Sequence, residues 1–256
     1  MRRIHLFEFE DQTWFPSFLR NYITDFLQFL SNKAKVYQPV VDVIYNTLNA
    51  GHTSTIIDLG SGSGGGLLWL SDELKKINPA LQIILTDLFP NIEAFEYTRQ
   101  KSSVFDYFRH PVDAKNVPES LKGLRTQFLS FHHFNPDEAR MIIQNAVNAQ
   151  QSIAIFEIQD RSFPSFIAML LSLVSVLFTT PFIRPFRFGR LVFTYLIPVI
   201  PLVVLWDGIV SCLRTYSVDE MKALVDSLEN KKNYSWQFDK KKSKTGFVMY
   251  MIGIPG

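Results

Sequence analysis

The chain has 256 residues, 47% of them hydrophobic, with 26 Lys and Arg against 24 Asp and Glu for a formal net charge of +2. That length gives one large domain, or one domain with an elaboration, and the apolar content is enough for a full core. The charge is too mild to imply a nucleic-acid partner, and the single cysteine, Cys212, excludes an internal disulfide framework and a cysteine-rich zinc site.

The N-terminal run from Met1 turns acidic at Glu8 before any long apolar stretch, so a secretory signal is not expected there. Residues 11–50 read as helical. Phe18, Leu19, Tyr22, Ile23, Phe26, Leu27 and Leu30 recur at three and four, and a second helix opened by Pro39 carries Val40, Val43, Ile44 and Leu48 up to Gly51. A strand at Thr55–Leu59 then meets glycines at Gly60, Gly62, Gly64, Gly65 and Gly66 before a helix near Leu67–Lys76. Such a turn lets a ligand lie against bare backbone with helix N–H groups pointing at it.

Strand Gln82–Thr86 ends in Asp87 and precedes a helix near Ile92–Gln100, and a short extended piece reaches Asp113. Strand Thr126–Phe131 leads to a helix capped by Asn135, with Pro136, Asp137 and Glu138 in its first turn. Strand Ser152–Ile158 follows. This alternation predicts a parallel sheet with helices on both faces. Near the end, Ser217-Val218-Asp219-Glu220 forms a capping box for a helix to about Leu228. Strands near Tyr234–Phe238 and Phe247–Ile252 flank a lysine-rich turn at Lys240, Lys241, Lys242 and Lys244, which reads as a hairpin.

Gly60-x-Gly62-x-x-Gly65 fits a dinucleotide fingerprint. The acid two places earlier fits another reading better: Asp58-Leu59-Gly60-Ser61-Gly62-Ser63-Gly64 resembles motif I of class I S-adenosylmethionine (SAM) methyltransferases. The resemblance covers residues 50–160 and the closing strands. It implies an α/β fold, a seven-stranded, mostly parallel, doubly wound sheet with a reversed last strand, and SAM as cofactor. It also implies a division into an N-terminal helical lid (1–50), a SAM-binding core (51–161), an apolar insertion (162–210) and a closing helix and strands (211–256).

Carried onto this sequence, the resemblance gives Asp58 a part in holding the methionine end, beside a turn of Gly60, Ser61, Gly62 and Gly64. Asp87, followed by Leu88, would accept from both ribose hydroxyls, a task suited to a two-oxygen carboxylate. Asp113-Ala114 would contact the adenine edge, and Ser130, within Phe128–Phe134, would line the methyl group. His132 and His133 are the candidate proton acceptors, since imidazole titrates near neutral pH. Read as strand residues they face opposite sides, so at most one points into the site; the alternative is a structural histidine. Glu157 could orient an acceptor or pair with Arg161, and Trp14 and Tyr37 could close over the acceptor from the lid. No metal-ligand cluster is visible, and no metal is expected.

The stretch Ser162–Trp206 has no counterpart in ordinary methyltransferases. Its first half, Ser162 to Ile183, carries no charge over about 22 residues, near the length that spans a bilayer. Its second half is interrupted by Pro198 and Pro201, and Arg184, Arg187 and Arg190 lie between the two. Two full crossings would place these arginines outside, against the positive-inside rule. A hairpin dipping into the membrane surface, with the arginines on lipid phosphates, is the preferred reading; a cap over a greasy pocket is another. The expected function is methyl transfer to a hydrophobic or lipid-like acceptor by a cytoplasmic protein, peripheral or monotopic on the membrane's inner face. The alternatives are a soluble small-molecule methyltransferase with a capped pocket, a non-catalytic SAM-binding scaffold anchored to a membrane partner, and a nicotinamide-dependent reductase.

Overall fold

The computed structural model describes residues 1–243 and 246–256. Its centre is a seven-stranded sheet in the spatial order β3-β2-β1-β4-β5-β7-β6. The strands are β1 (Thr55–Leu59), β2 (Gln82–Thr86), β3 (Phe105–Tyr107), β4 (Leu124–Phe128), β5 (Ile153–Glu157), β6 (Tyr234–Ser243) and β7 (Gly246–Pro255). The first five pair in parallel, and β7 enters antiparallel to β5 with Ile155 opposite Met251. The parallel sheet is the one expected from the alternating pattern, and the reversed strand is the one implied by the resemblance to class I methyltransferases. Lys240, Lys241 and Lys242 lie on β6 rather than in a turn; Lys244 lies outside the described residues.

Alternate residues of each buried strand serve opposite faces. Ile56, Ile83, Leu85 and Phe156 pack with helices α2 (Val41–Ala50), α3 (Leu67–Ile77) and α4 (Ile92–Lys101). Ile57, Leu59, Ile155 and Met251 pack on the other side with α5 (Pro136–Asn148) and α9 (Val218–Asp226). Both capping boxes form: Asn135 with Glu138 opens α5, and Ser217 with Glu220 opens α9. Between β1 and β4 the chain's direction of travel across the sheet reverses, which opens a crevice at the carboxyl ends of those strands.

Three readings need correction. The helical stretch starts later than residue 11: an irregular arm runs to Pro16, and the two expected helices follow as α1 (Ser17–Ala34) and, after a 3₁₀ turn at Gln38–Val40, α2. The fourth strand stops at Phe128 because Leu129 takes φ +54°, so His132 and His133 sit in a 3₁₀ turn and strand alternation does not govern them. The insertion comprises α6 (Phe163–Thr179), a 3₁₀ turn at Thr180–Phe182, α7 (Phe188–Leu191), a π-helical turn at Val192–Leu196 and α8 (Val199–Arg214).

The insertion folds back on the body. Val176, Ile200, Val203 and Val204 bury against Phe15, Leu19, Ile23 and Phe26 of the arm and α1. Arg190, 2% exposed, forms an ion pair with the buried Asp25 of α1, and Arg187 lies 3.6 Å from Asp25 and 3.0 Å from Glu93. These two arginines are therefore spoken for inside the protein and do not reach lipid phosphates. Arg184 alone of the three is exposed.

Candidate active site

The crevice between β1 and β4 opens into a cavity of about 610 Å³, within the range of small-molecule sites. The glycine turn forms one wall. Gly60 has φ +72°, and a Cβ there would lie 3.2 Å from the Ser130 side chain, so the backbone passes in a way that only glycine allows. The Gly62 N–H donates to Asp87 Oδ2 at 2.7 Å, and the Phe89 N–H donates to Asp87 Oδ1 at 2.8 Å. Each carboxylate oxygen thus keeps a lone pair for a ligand. The Val112 N–H donates to the Asp87 carbonyl at 2.9 Å, which draws Asp113-Ala114 against Asp87.

Of the residues singled out by motif, Gly60, Ser61, Gly62, Asp87, Leu88, Asp113, Ala114, Ser130, Tyr37 and His133 line this one cavity. Gly64 belongs to the same turn, with φ +91°. Asp58 lies beneath the turn, 2% exposed, and Thr126 Oγ1 donates to its Oδ1 at 2.8 Å. Burial pushes the Asp58 carboxyl up to about 7 against the hydrogen bonds from Ser61 and Thr126.

Four expected site residues are not brought to the wall. Trp14 is 65% exposed and lies edge-on to Phe9 and Phe15. Arg161 turns away to Glu220 at 2.8 Å and the Thr215 carbonyl at 2.7 Å, so it does not pair with Glu157. Glu157 is 1% exposed and accepts from the His132 N–H at 3.1 Å, with His132 Nδ1 at 3.0 Å from its Oε2. That contact holds His132 behind the cavity, and of the two adjacent histidines His133 is the one that faces it.

His133 is clasped by groups from far away in sequence. Its Nδ1 lies 2.7 Å from Asp11 Oδ1 and 3.0 Å from Glu8 Oε2, and Arg214 donates to its carbonyl. Burial would lower its proton affinity, but the two carboxylates raise it well above the ordinary histidine value. Burial likewise opposes the ionised form of Glu8, yet the charge of His133 holds that carboxyl down at about 2. Alongside, Glu10 and Asp207 titrate above the usual carboxylate range because both are buried in company with other acids.

Motif reading missed this whole arm. His5, Leu6, Phe7, Glu10 and Asp11 line the cavity with Arg214 at the end of α8. The arm is held there by the N–H groups of Phe9 and Glu10, which donate to Asp207 at 2.8 and 3.2 Å, and by the Trp206 Nε1–H on the Phe7 carbonyl at 3.1 Å. The available signal was the alternation Phe7-Glu8-Phe9-Glu10, an acidic strip too apolar for a plain solvated tail. The expectation of no metal cluster also needs correction: Glu8, His132 and His133 offer ligand atoms all within 4.8 Å of one another.

Neither a protein-family model nor a curated protein sequence matches the chain. Solved structures do. The plantazolicin methyltransferase BpumL, in complex with SAH, aligns with a TM-score of 0.56 at 11% identity, over 93% of this chain and 96% of its own. PigF, also with SAH, aligns at 0.53 and 17% identity, over 95% of this chain and 63% of its own. A Rhodobacter sphaeroides protein named as a Zn-dependent alcohol dehydrogenase aligns at 0.53 and 12% identity, over 93% and 98%. At such identities the likeness speaks for the fold alone. In its strand order, reversed β7 and glycine turn after β1, this chain shares the α/β fold seen in SAM-dependent methyltransferase structures.

Proposed function

We propose that the chain is a SAM-dependent methyltransferase whose acceptor is a lipid-like amphiphile met at the cytoplasmic face of a membrane. The observation that carries the methyltransferase reading is the convergence of the glycine turn, Asp87, Asp113-Ala114 and Ser130 on one cavity at the switch point. The residues fit the cofactor: Asp87 keeps two acceptor sites for a pair of ribose hydroxyls, and the left-handed glycines leave bare backbone beside them. Bound SAM supplies a methyl group on a sulfonium, already activated for displacement. The chain's task is then alignment of the acceptor with that methyl group.

The other end of the cavity is polar at Glu10, Asp11, His133 and Arg214 and apolar at Leu6, Phe7 and Phe134. That division suits a molecule with an oxygen-bearing head and a greasy remainder. Phe7 also packs on Trp206 of α8, ring centroids 5.4 Å apart, which joins the cavity's apolar lip to the insertion.

The membrane reading is supported by α6. Phe163–Phe182 has a mean hydropathy of 1.9, is long and apolar enough to cross a bilayer by composition, and is only 22% buried. Phe163, Ile167, Leu170, Leu171, Val174 and Phe178 stand exposed along it, a larger apolar strip than soluble surfaces normally leave open. Its first turn follows β5 and its far end meets Arg190 and α1, so both ends lie against the α/β body. That placement favours a helix lying along the membrane surface over a crossing. No residue of 162–210 lines the cavity, so the capped-pocket reading has less support.

The test is incubation of the purified chain with methyl-labelled SAM and a lipid extract of the source cell, with Asp87→Ala as control. Label in the organic phase, absent from the control, is the expected result. Label confined to the aqueous phase overturns the lipid-like acceptor, and no label with any extract overturns methyl transfer.

A further inference from the structure

We propose that Glu8, His132 and His133 form a site for one divalent transition-metal ion at the acceptor end of the cavity, with Asp11 in position to join them. The three side chains already present ligand atoms within 4.8 Å of one another. Closing on a zinc-like ion at about 2.0–2.2 Å asks each to move by about an ångström.

The first support is an orphaned atom. Glu8 is fully buried, and among the described residues its Oε2 has no hydrogen-bond partner although His133 Nδ1 is 3.0 Å away. A proton on His133 Nδ1 goes to Asp11 at 2.7 Å and so satisfies one carboxylate of the two. A cation between the imidazoles and Glu8 would satisfy both, since it accepts electron pairs from several directions at once.

The second support lies behind His132. Among the described residues its ring donates through Nδ1, which lies 3.1 and 3.0 Å from the two oxygens of the buried Glu157. That arrangement fixes the tautomer and leaves Nε2 as the free electron pair, and it is the backing that metal-bound histidines commonly have. Gln159 in turn donates to Glu157 Oε2 at 3.2 Å, so the carboxylate is itself held in place.

The third support is formal charge. Glu8 and Asp11 share the guanidinium of Arg214, at 3.3 and 2.6 Å, and the imidazole of His133, while Glu157 faces His132, so with neutral imidazoles three carboxylates meet one guanidinium. A dication offsets much of the remaining excess. Two imidazole nitrogens with carboxylate oxygens favour zinc and its neighbours over magnesium or calcium, which take oxygen ligands.

His133 and Asp11 line the cavity while Glu8 and His132 form its rear, so the ion's open position faces an incoming molecule. Resting on the methyl-transfer reading, that position would take the oxygen of the acceptor's head group.

The experiment uses the full chain with any purification tag removed, stripped with a chelator and dialysed. Zn²⁺ is titrated by calorimetry and Co²⁺ by visible absorption, and SAH binding and thermal unfolding are measured on the same samples. The expected result is one equivalent of ion per chain, a Co²⁺ spectrum of low coordination number, and at least tenfold weaker binding in Glu8→Gln and His132→Gln. Glu157→Gln, which touches no ion, is expected to weaken binding about tenfold by loosening His132. Absence of saturable Zn²⁺ binding in the wild type overturns the proposal whatever the variants do, as does equal affinity in folded Glu8→Gln. SAH binding without metal binding removes this inference alone; metal binding without SAH binding keeps it and removes the methyltransferase reading.

Discussion

Replacing Asp58 by Asn isolates one buried charge beneath the cofactor turn. The carboxyl is 2% exposed and titrates at about 7, against about 3.9 in an unfolded chain. Its folded value is raised, so its contribution to stability is fully present below the unfolded value and is lost as pH rises through the folded one. The whole loss is about 4 kcal/mol, from about three pH units at about 1.4 kcal/mol each. Between about pH 5.5 and about pH 8.5, half of that, about 2 kcal/mol, is lost. For a chain of this size it lowers the melting temperature by about 4–8 °C. Asn keeps an acceptor for the Thr126 hydroxyl and cannot ionise, so Asp58→Asn should lack this component. The assay is thermal unfolding of both proteins across that pH range without ligand, read as the difference between them, which cancels every other titrating group. The gap should widen in favour of Asn as pH rises. Parallel curves would refute the argument that Asp58 is held in a site that resists its charge.

Asp87→Ala removes the acceptor of the Gly62 N–H and the two lone pairs left for ribose; SAH affinity should fall about 30- to 160-fold by calorimetry, as a loss of about 2–3 kcal/mol, and unchanged affinity would remove the ribose role. Arg190→Met leaves Asp25 buried without its closest cation and should cost about 3–5 kcal/mol in urea unfolding, with Asp25→Asn in the same chain recovering part of it; a cost below about 1 kcal/mol would mean that the pair is not buried in solution. Leu171→Glu with Val174→Glu places charge on the open face of α6, where both residues are about half exposed. Flotation with anionic vesicles should be lost while the melting temperature holds, and flotation equal to wild type would show that this face does not contact lipid.

The elements that sequence alone made legible are those set by local pattern. The strand-glycine-helix unit at Thr55–Ile77, the acid closing β2 and the two capping boxes need only a few neighbouring residues to specify them. The closing hairpin was legible from its two adjacent strands, whereas the reversal of β7 against β5 came from the resemblance to class I methyltransferases. His132 and His133 were legible as residues near the site of which at most one faces it, but not which of the two does. Their separation depends on a left-handed Leu129 and on Glu157, 25 residues away. Glu8 was read only as evidence about a leader peptide and Asp11 was given no role, because nothing local announces a partner more than a hundred residues on. Arg187 and Arg190 misled for the same reason: an arginine in an apolar segment reads as a lipid contact until Asp25 is placed beside it.

That placement also explains what α1 does. Thr24, Asp25, Gln28 and Asn32 fall on one helical face, and all four touch the glycine turn. Thr24 Oγ1 and Ser63 Oγ are 2.7 Å apart, Ser63 Oγ donates to Asp25 Oδ1 at 2.9 Å, Gln28 donates to the Ser63 carbonyl, and Asn32 donates to the Gly65 carbonyl at 2.7 Å. A turn with so many glycines is costly to order, and α1 holds it by its polar atoms. The arrangement needs a carboxylate buried at Asp25, and the insertion supplies the guanidinium that makes this tolerable. Shortening the insertion to a bare loop would therefore strand Asp25 and loosen the turn, so the apolar hairpin is bound up with the glycine turn even though none of its residues reaches the cavity.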